Sequence, residues 1–250
     1  KEVGFSLFIK GKKGAVLTPE AQSLIPSVRA LLSADEVVHQ EISALKGTPT
    51  GTITIGTYLS CSIHWIPEII QKFRESHPNI VFKVIEGAED DLPDWIQERR
   101  VDIGFLSHQE GHHFQFLPVM DDELFAVLPK GHSLEDCSAV PMEKFTGAPF
   151  VTTEYAPGSD IYRILKEFHI KPDIRFLSIN EFSVLSMVEH GLGITILPGL
   201  LLRGQTGSFV KRRLEPRSFR RLGLGYSSYD DLSPASRIFL EYAKSFLLDD

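Results

Sequence analysis

Hydroxyl side chains are where this sequence could do chemistry. Ser60-Cys61-Ser62 follows a run of strand character, TITIGT, and precedes a run of helical spacing. Ser60 and Ser62 therefore stand where free backbone N–H groups and a helix dipole favour an anion, unless they only cap the helix. Ser107 closes another strand-like run, VDIGFLS, and Thr152 and Thr153 close a third, FVTT. In open α/β sheets ligands bind beyond the carboxyl ends of strands, so these hydroxyls are expected to converge on one cleft. Such a set suits a small carboxylate or polar metabolite. It brings no nucleophile or general base, so no catalytic residue and no turnover are expected.

Other chemistries are poorly supplied. A nucleophile elbow, a phosphate loop, a zinc-protease helix and a paired CxxC set are all absent. His108, His112 and His113 cluster in sequence, but neighbours on an extended segment point to opposite sides, so no metal site is expected. Cys61 and Cys137 are too few for a disulfide scaffold and suit a reducing compartment. Nothing basic stands beside Cys61 to make it a redox switch, and no cofactor is expected.

The elements that must position the hydroxyls are legible from periodicity. TITIGT alternates as a strand, residues 64–77 carry Ile66, Ile69, Ile70 and Phe73 at helical spacing, IVFKVIEG is a second strand, residues 92–99 a short helix and VDIGFLS a third strand. Short strands separated by helices imply a parallel sheet. A hairpin-like pair, FQFLPV and ELFAVLP, follows. The unit then restarts: FVTT, a helix over 161–169, DIRFLSI, a helix begun by a Ser178–Glu181 capping box, and GITILP. FVKRRLEP and FRRLGLGYS read as β segments, and residues 233–248 as a closing amphipathic helix. The expectation is an α/β protein of two similar lobes with a cleft between them.

Ahead of the lobes lies one long helix. Thr18 can cap it, Pro19 suits its first position and Gly47 ends it. Leu24, Val28, Leu31, Asp35, Val38, Ile42 and Leu45 recur at alternating steps of four and three, a heptad seam with one polar member. The seam is narrow and set apart by GTPTG. That favours pairing with a second copy over the commoner role of packing on its own domain. Pro26 is expected to kink the helix near Gln22.

Composition sets outer bounds. With 250 residues, 42% hydrophobic and 24% charged, the chain can bury a full core. A net charge of −7 argues against wrapping nucleic acid over the whole surface, so any DNA contact must be local. No apolar run reaches the ~20 residues of a membrane span, and a cytoplasmic protein is expected. Seven basic residues against one acid lie between Arg203 and Arg221, and six acids with no base between Glu86 and Glu98. Such runs are usually solvated faces; the sharper reading is that the basic edge of one protomer meets the acidic edge of another.

These pieces together resemble a LysR-type transcriptional regulator. LFIKGKKGAVLTPEA is similar to that family's LF-x-R…G…LTPAG signature. The likeness continues through TITIGT, IPEIIQKFRESHPNI, VDIGF, ELFAVLPKGHSL and VEHGLGITILP. Lys10 stands where the family has Arg, which keeps a phosphate-seeking charge but loses the bidentate fork, and Glu20-Ala21 replace Ala-Gly. The resemblance implies a two-lobed, type 2 periplasmic-binding-protein-like effector domain behind a dimerising linker helix, in a homodimer that can become a homotetramer. Residues 1–17 would be the wing end of a mostly missing winged helix-turn-helix, with Lys10, Lys12 and Lys13 as DNA-phosphate contacts. Residues 18–47 would be the linker helix, residues 51–128 with 227–250 the first lobe, and residues 129–226 the second. Ser60, Ser62, Glu89, Ser107, Thr152 and Thr153 would contact a small-molecule effector. Two rival readings keep the same bilobed fold. One is a solute-binding receptor feeding a transporter; the other is an enzyme, for which only Glu89 and Glu181 could serve as acid or base.

Overall fold

The computed structural model describes residues 3–11, 14–47, 49–153, 157–178 and 180–248, with only the backbone of residue 44. Lys12 and Lys13 lie outside the described residues. An antiparallel hairpin opens the chain, β1 (Phe8–Gly11) and β2 (Gly14–Leu17), with Lys10 exposed on β1.

Helix α1 (Pro19–Leu45) follows, and it starts as its sequence requires. The Thr18 hydroxyl accepts the Ala21 N–H at 3.1 Å and donates to the Ser6 carbonyl at 2.9 Å, tying the cap to the hairpin side. The helix runs on through Pro26. Its heptad seam is largely bare: Val28, Leu31, Val38, Ile42 and Leu45 are exposed, Leu31 to 71%, and only Leu24 is half-buried. One buried polar anchor holds the far end, where Gln40 accepts the Ala235 N–H at 3.2 Å.

The first lobe is built from β3 (Gly51–Thr57), α2 (Leu59–His64), α3 (Ile66–Ser76), β4 (Ile80–Glu86), α4 (Asp91–Gln97) and β5 (Ile103–Ser107). Strand β3 runs parallel to both β4 and β5. Next comes β6 (Gln115–Pro129), a single strand where a hairpin was expected. FQFLPVMDDELFAVLP stays one strand although Pro118 and Asp121-Asp122 are turn-favouring residues; its acidic middle is extended because basic side chains answer it from the neighbouring strand.

The second lobe adds β7 (Ala139–Pro141), β8 (Pro149–Thr152), α5 (Asp160–Glu167), β9 (Asp173–Leu177), α6 (Glu181–Glu189), β10 (Thr195–Pro198) and α7 (Gly199–Leu202). The chain returns through β11 (Phe209–Tyr226), again one strand rather than two segments, and closes with α8 (Pro234–Leu248) on the first lobe. One sheet spans both lobes in the order β10-β6-β11-β5-β3-β4, with β7 also on β11. It is mixed rather than parallel, because β11 runs antiparallel to both β5 and β6. Strands β8 and β9 pair in parallel and join β10 through the Phe150–Ile194 bridge.

Two cores result. Ile53, Ile55, Phe105, Leu222 and Phe239 surround Phe73, whose ring meets those of Phe82, Phe239 and Tyr242 edge-on at 5.6, 5.2 and 5.3 Å. Leu124, Ala126, Leu128, Phe145, Phe150 and Ile196 form the second. The cores change over inside β6 and β11, near Asp122 and Ser218, rather than near the expected Leu128 and Tyr226: Leu124 and Leu128 belong to the second core, Leu222, Leu224 and Tyr226 to the first. A strand that serves two cores carries no turn to mark the border.

Phe73→Ala is expected to cost about 3–5 kcal/mol in urea unfolding, because three rings lose their shared partner. Leu248→Ala, on the exposed end of α8, should stay within about 0.5 kcal/mol of the parent.

Candidate functional site

At the changeover between lobes, Arg220 of β11 lies directly opposite Asp122 of β6. Their side chains are only 3% and 4% exposed. Arg220 Nε donates to Asp122 Oδ2 at 2.9 Å, and a terminal guanidinium nitrogen donates to Ser60 Oγ at 2.7 Å. The other carboxylate oxygen, Oδ1, accepts the Leu200 N–H at 2.8 Å. Strands β6 and β11, helix α2 of the first lobe and helix α7 of the second thus meet on one ion pair. Gly199 makes this approach possible, since a Cβ there would stand 3.0 Å from the Phe125 ring and 3.1 Å from the Glu123 carbonyl.

A cavity of about 490 Å³ opens beside the pair. The first lobe lines it with Tyr58, Leu59, Ser60, Glu86 and Glu89, and the second with Thr153, Asp160, Asn180, Glu181, Leu197 and Leu201. On its rim the lobes are latched together. Ser107 Oγ donates to Asp160 Oδ1 at 2.9 Å, Glu89 accepts the Asp160 N–H, and Gln109 Nε2 donates to the carbonyls of Glu89 and Gly158 at 3.2 and 3.0 Å. Arg163 also pairs with Asp160. Ser159 caps α5, accepting the Tyr162 N–H at 3.2 Å.

Burial governs the ionisation of this site. Desolvation, with Asp160 adding repulsion, pushes the Glu89 carboxyl up to about 8. Tyr58 is raised by burial and then by Glu89 and Asp160, and Glu181 by burial with Glu86 contributing. Burial pushes the Cys61 thiol up to about 12, which removes its thiolate and hence its nucleophilicity.

Of the residues expected at the cleft, Ser60, Glu89 and Thr153 line the cavity. Ser62 lies off it, with its hydroxyl donating to Glu86, which does line it. Ser107 is buried behind the latch, and Thr152 is buried in β8. The expected capping box is replaced: Asn180 Oδ1 accepts the Phe182 N–H at 2.8 Å, which frees Glu181 to face the cavity. Arg220 and Asp160 escaped the sequence reading. The available signal for Arg220 was its parity with Leu222 and Leu224 along β11, which puts it on a buried face.

The basic run is answered within one chain by acids of β6, not by the acidic run of residues 86–98. Arg217 forks onto Glu123 with both bonds at 2.8 Å, and Arg221 reaches Asp121 at 2.9 Å, because the antiparallel register of β6 and β11 sets Asp121, Asp122 and Glu123 opposite the basic stretch. Among the described residues, no cluster of histidine, cysteine or carboxylate side chains could hold a metal. His112 instead bonds Gln109 at 3.1 Å. No helix of the described residues is long and apolar enough to cross a membrane.

Comparison with known proteins gives this architecture a context. The family model for the LysR substrate binding domain matches residues 46–247. The uncharacterized HTH-type transcriptional regulator YvbU of Bacillus subtilis (strain 168) is 26% identical over 97% of this chain and 84% of its own. Among solved structures, the effector binding domain of QuiR in complex with shikimate superposes with a TM-score of 0.70 at 22% identity, over 80% of this chain and 98% of that one. The regulatory domain of CcmR from Synechocystis PCC6803 in complex with 2-PG does so with a TM-score of 0.71 at 16% identity, over 78% and 97%. The fold shared with these structures is the two-lobed, periplasmic-binding-protein-like one.

Two outcomes are expected. Arg220→Met, which strands the buried Asp122 carboxylate, should destabilise the chain by about 3–5 kcal/mol in chemical unfolding, and adding Asp122→Asn should return much of that loss. For Glu89, a folded-state value above the usual carboxyl value of 4.5 means that the folded chain holds a proton the unfolded chain has released. Its contribution is fully present below the unfolded value and is lost as pH rises toward about 8. Glu89→Gln keeps an oxygen for the Asp160 N–H and removes the proton. The variant should gain on the parent by up to about 1.4 kcal/mol per pH unit across that window, read from unfolding curves at a series of pH values.

Proposed function

Given that the chain belongs to the family of LysR substrate-binding domains, we propose that it is the effector-sensing and pairing part of a DNA-binding transcriptional regulator. The observation that carries this reading is a cavity of about 490 Å³ lined from both lobes, beside the point where β6 and β11 cross between them. A metabolite held there touches both lobes at once, so it binds one mutual setting of the lobes more tightly than another. The equilibrium between settings then moves by that difference in affinity and no further. Ser60 and Thr153 contact the metabolite from opposite lobes, while Glu89 sits at the latch; Ser62, Ser107 and Thr152 support the site from behind. The shikimate of QuiR and the 2-PG of CcmR are guests of metabolite size, which supports a small polar ligand here.

The lobe movement is passed on through α1. Its seam of half-buried Leu24 and bare Val28, Leu31, Val38, Ile42 and Leu45 packs against the same seam of a second copy, burying the apolar stripe in a homodimer that can assemble further into a homotetramer. The β1–β2 hairpin carries Lys10, with Lys12 and Lys13 beside it in sequence, and its lysines contact DNA phosphates in the full regulator. On this reading the protein works in the cytoplasm, beside the DNA that it binds. A transport receptor of the same fold has no use for such a seam, and among the described residues of the cavity no nucleophile is aligned with a base.

A thermal-shift screen of polar metabolites tests this reading. A ligand at 100 times its dissociation constant adds about 2.7 kcal/mol of stability. The shift should vanish in Ser60→Ala/Thr153→Ala, while a shift that survives in the double variant puts the binding site elsewhere and defeats the assignment.

A further inference from the structure

The charge at the cavity is lopsided. Glu86, Glu89, Asp160 and Glu181 line it, and Arg220 is the one cation among its described lining residues. That arginine is already taken by Asp122 and Ser60. Even with Asp122 and Arg163 included, five acidic side chains, of which Glu89 keeps its proton until about pH 8, face two guanidiniums. An anionic guest would meet repulsion without a free counter-charge.

Two further observations point to what is missing. Asp160 is 2% exposed, and its buried Oδ2 has no hydrogen-bond partner among the described residues. A buried carboxylate oxygen without a donor is unfavourable, and in an acidic setting an ammonium group, with three donors and a positive charge, satisfies it best. Second, the start of α5, where a ligand carboxylate could otherwise dock, is filled from within: the Asp160 N–H already goes to Glu89. Glu89 sits where an anionic ligand would, which leaves the adjoining space electrostatically suited to a cation.

The rest of the cavity sets the shape of that cation. Leu59, Leu124, Leu197 and Leu201 give it apolar walls. The acids fall into two mutually repelling pairs, Glu89 with Asp160 and Glu181 with Glu86. Resting on the reading of this cavity as the effector site, we propose that its ligand is a small aliphatic dication: one nitrogen lies between Glu89 and Asp160, the other at Glu86 and Glu181, and the carbon chain spans the leucines. The groups around the first nitrogen are Tyr58, Asp160, Arg163 and Arg220. Burial first, and then the Asp160 charge, raises the Glu89 carboxyl despite Arg220 and Arg163, and a bound ammonium group beside it returns it to its ionised form.

The experiment is thermal shift and calorimetry on the whole chain with putrescine, n-butylamine, shikimate and malonate, each at millimolar concentration. Putrescine is expected to raise Tm most, n-butylamine less, and the two acids not at all. Glu89→Gln and Glu181→Gln are each expected to raise the putrescine Kd by roughly tenfold or more. Both keep a carbonyl oxygen, and circular dichroism checks that both fold. No shift with putrescine overturns the proposal, as does putrescine binding untouched by both substitutions, which would mark a diffuse attraction to an acidic surface. A shift with shikimate or malonate alone, lost in Ser60→Ala/Thr153→Ala, overturns the cationic ligand while leaving the cavity as the effector site.

Discussion

A single buried ion pair sits where this molecule's halves divide. Asp122 and Arg220 face each other across β6 and β11, the two strands that run from one lobe into the other. Desolvating two charges costs several kcal/mol each, and their attraction only repays that when every remaining lone pair and proton finds a partner. Here it does so through Ser60 of α2 and the Leu200 N–H of α7. Such a pair adds little net stability over an apolar substitute, but it accepts few other arrangements. It fixes the register of the crossing strands and, with it, the positions of the helices that wall the cavity.

The neighbouring charges follow from the same register. Once Arg220 is opposite Asp122, Arg221 is opposite Asp121 and Phe219 opposite Glu123, which Arg217 then reaches. The outer pairs, with both arginines exposed and Glu123 half-buried, are individually weak. Their use is to allow an acidic triplet to stay extended in mid-strand, so that β6 does not break between the lobes. The cavity inherits the consequence: the one arginine among its described lining residues is spent on Asp122 and Ser60, and of the lining carboxylates only Asp160 has an arginine beside it, Arg163.

Much of the fold could be read in advance. The strands at TITIGT, VDIGFLS, FVTT and GITILP, the capped helix from Thr18 and the closing helix all lie where alternation, heptad spacing and cap residues put them. The misreadings share a cause. FQFLPV and ELFAVLP looked like two strands because the polar DDE between them resembles a turn, and FVKRRLEP and FRRLGLGYS looked separate because of Pro216 and the arginines. Ser178 and Glu181 have the spacing of a capping box, yet Asn180 is the cap, because it stands immediately before α6 and its Oδ1 accepts the Phe182 N–H directly.

The site was legible only in part, and the division is physical. Local sequence fixes what neighbours along the chain decide: periodicity places the strand ends, and strand ends place Ser60, Glu89 and Thr153 at the cleft. The character of the cleft depends on pairs far apart in the chain, Arg220 with Ser60 and Asp160 with Glu89 and Ser107. Charge, unlike hydrophobic periodicity, has no meaning until its partner is known: Arg220 belongs to a basic run in sequence and to a neutralised, buried hinge in space. The sequence by itself determined two α/β lobes, a capped helix with an apolar seam, and hydroxyls at a cleft. Only the tertiary structure decided that those hydroxyls are largely held by other protein groups and that the cavity they border is acidic, because desolvation and long-range pairing set the sign and availability of each charge.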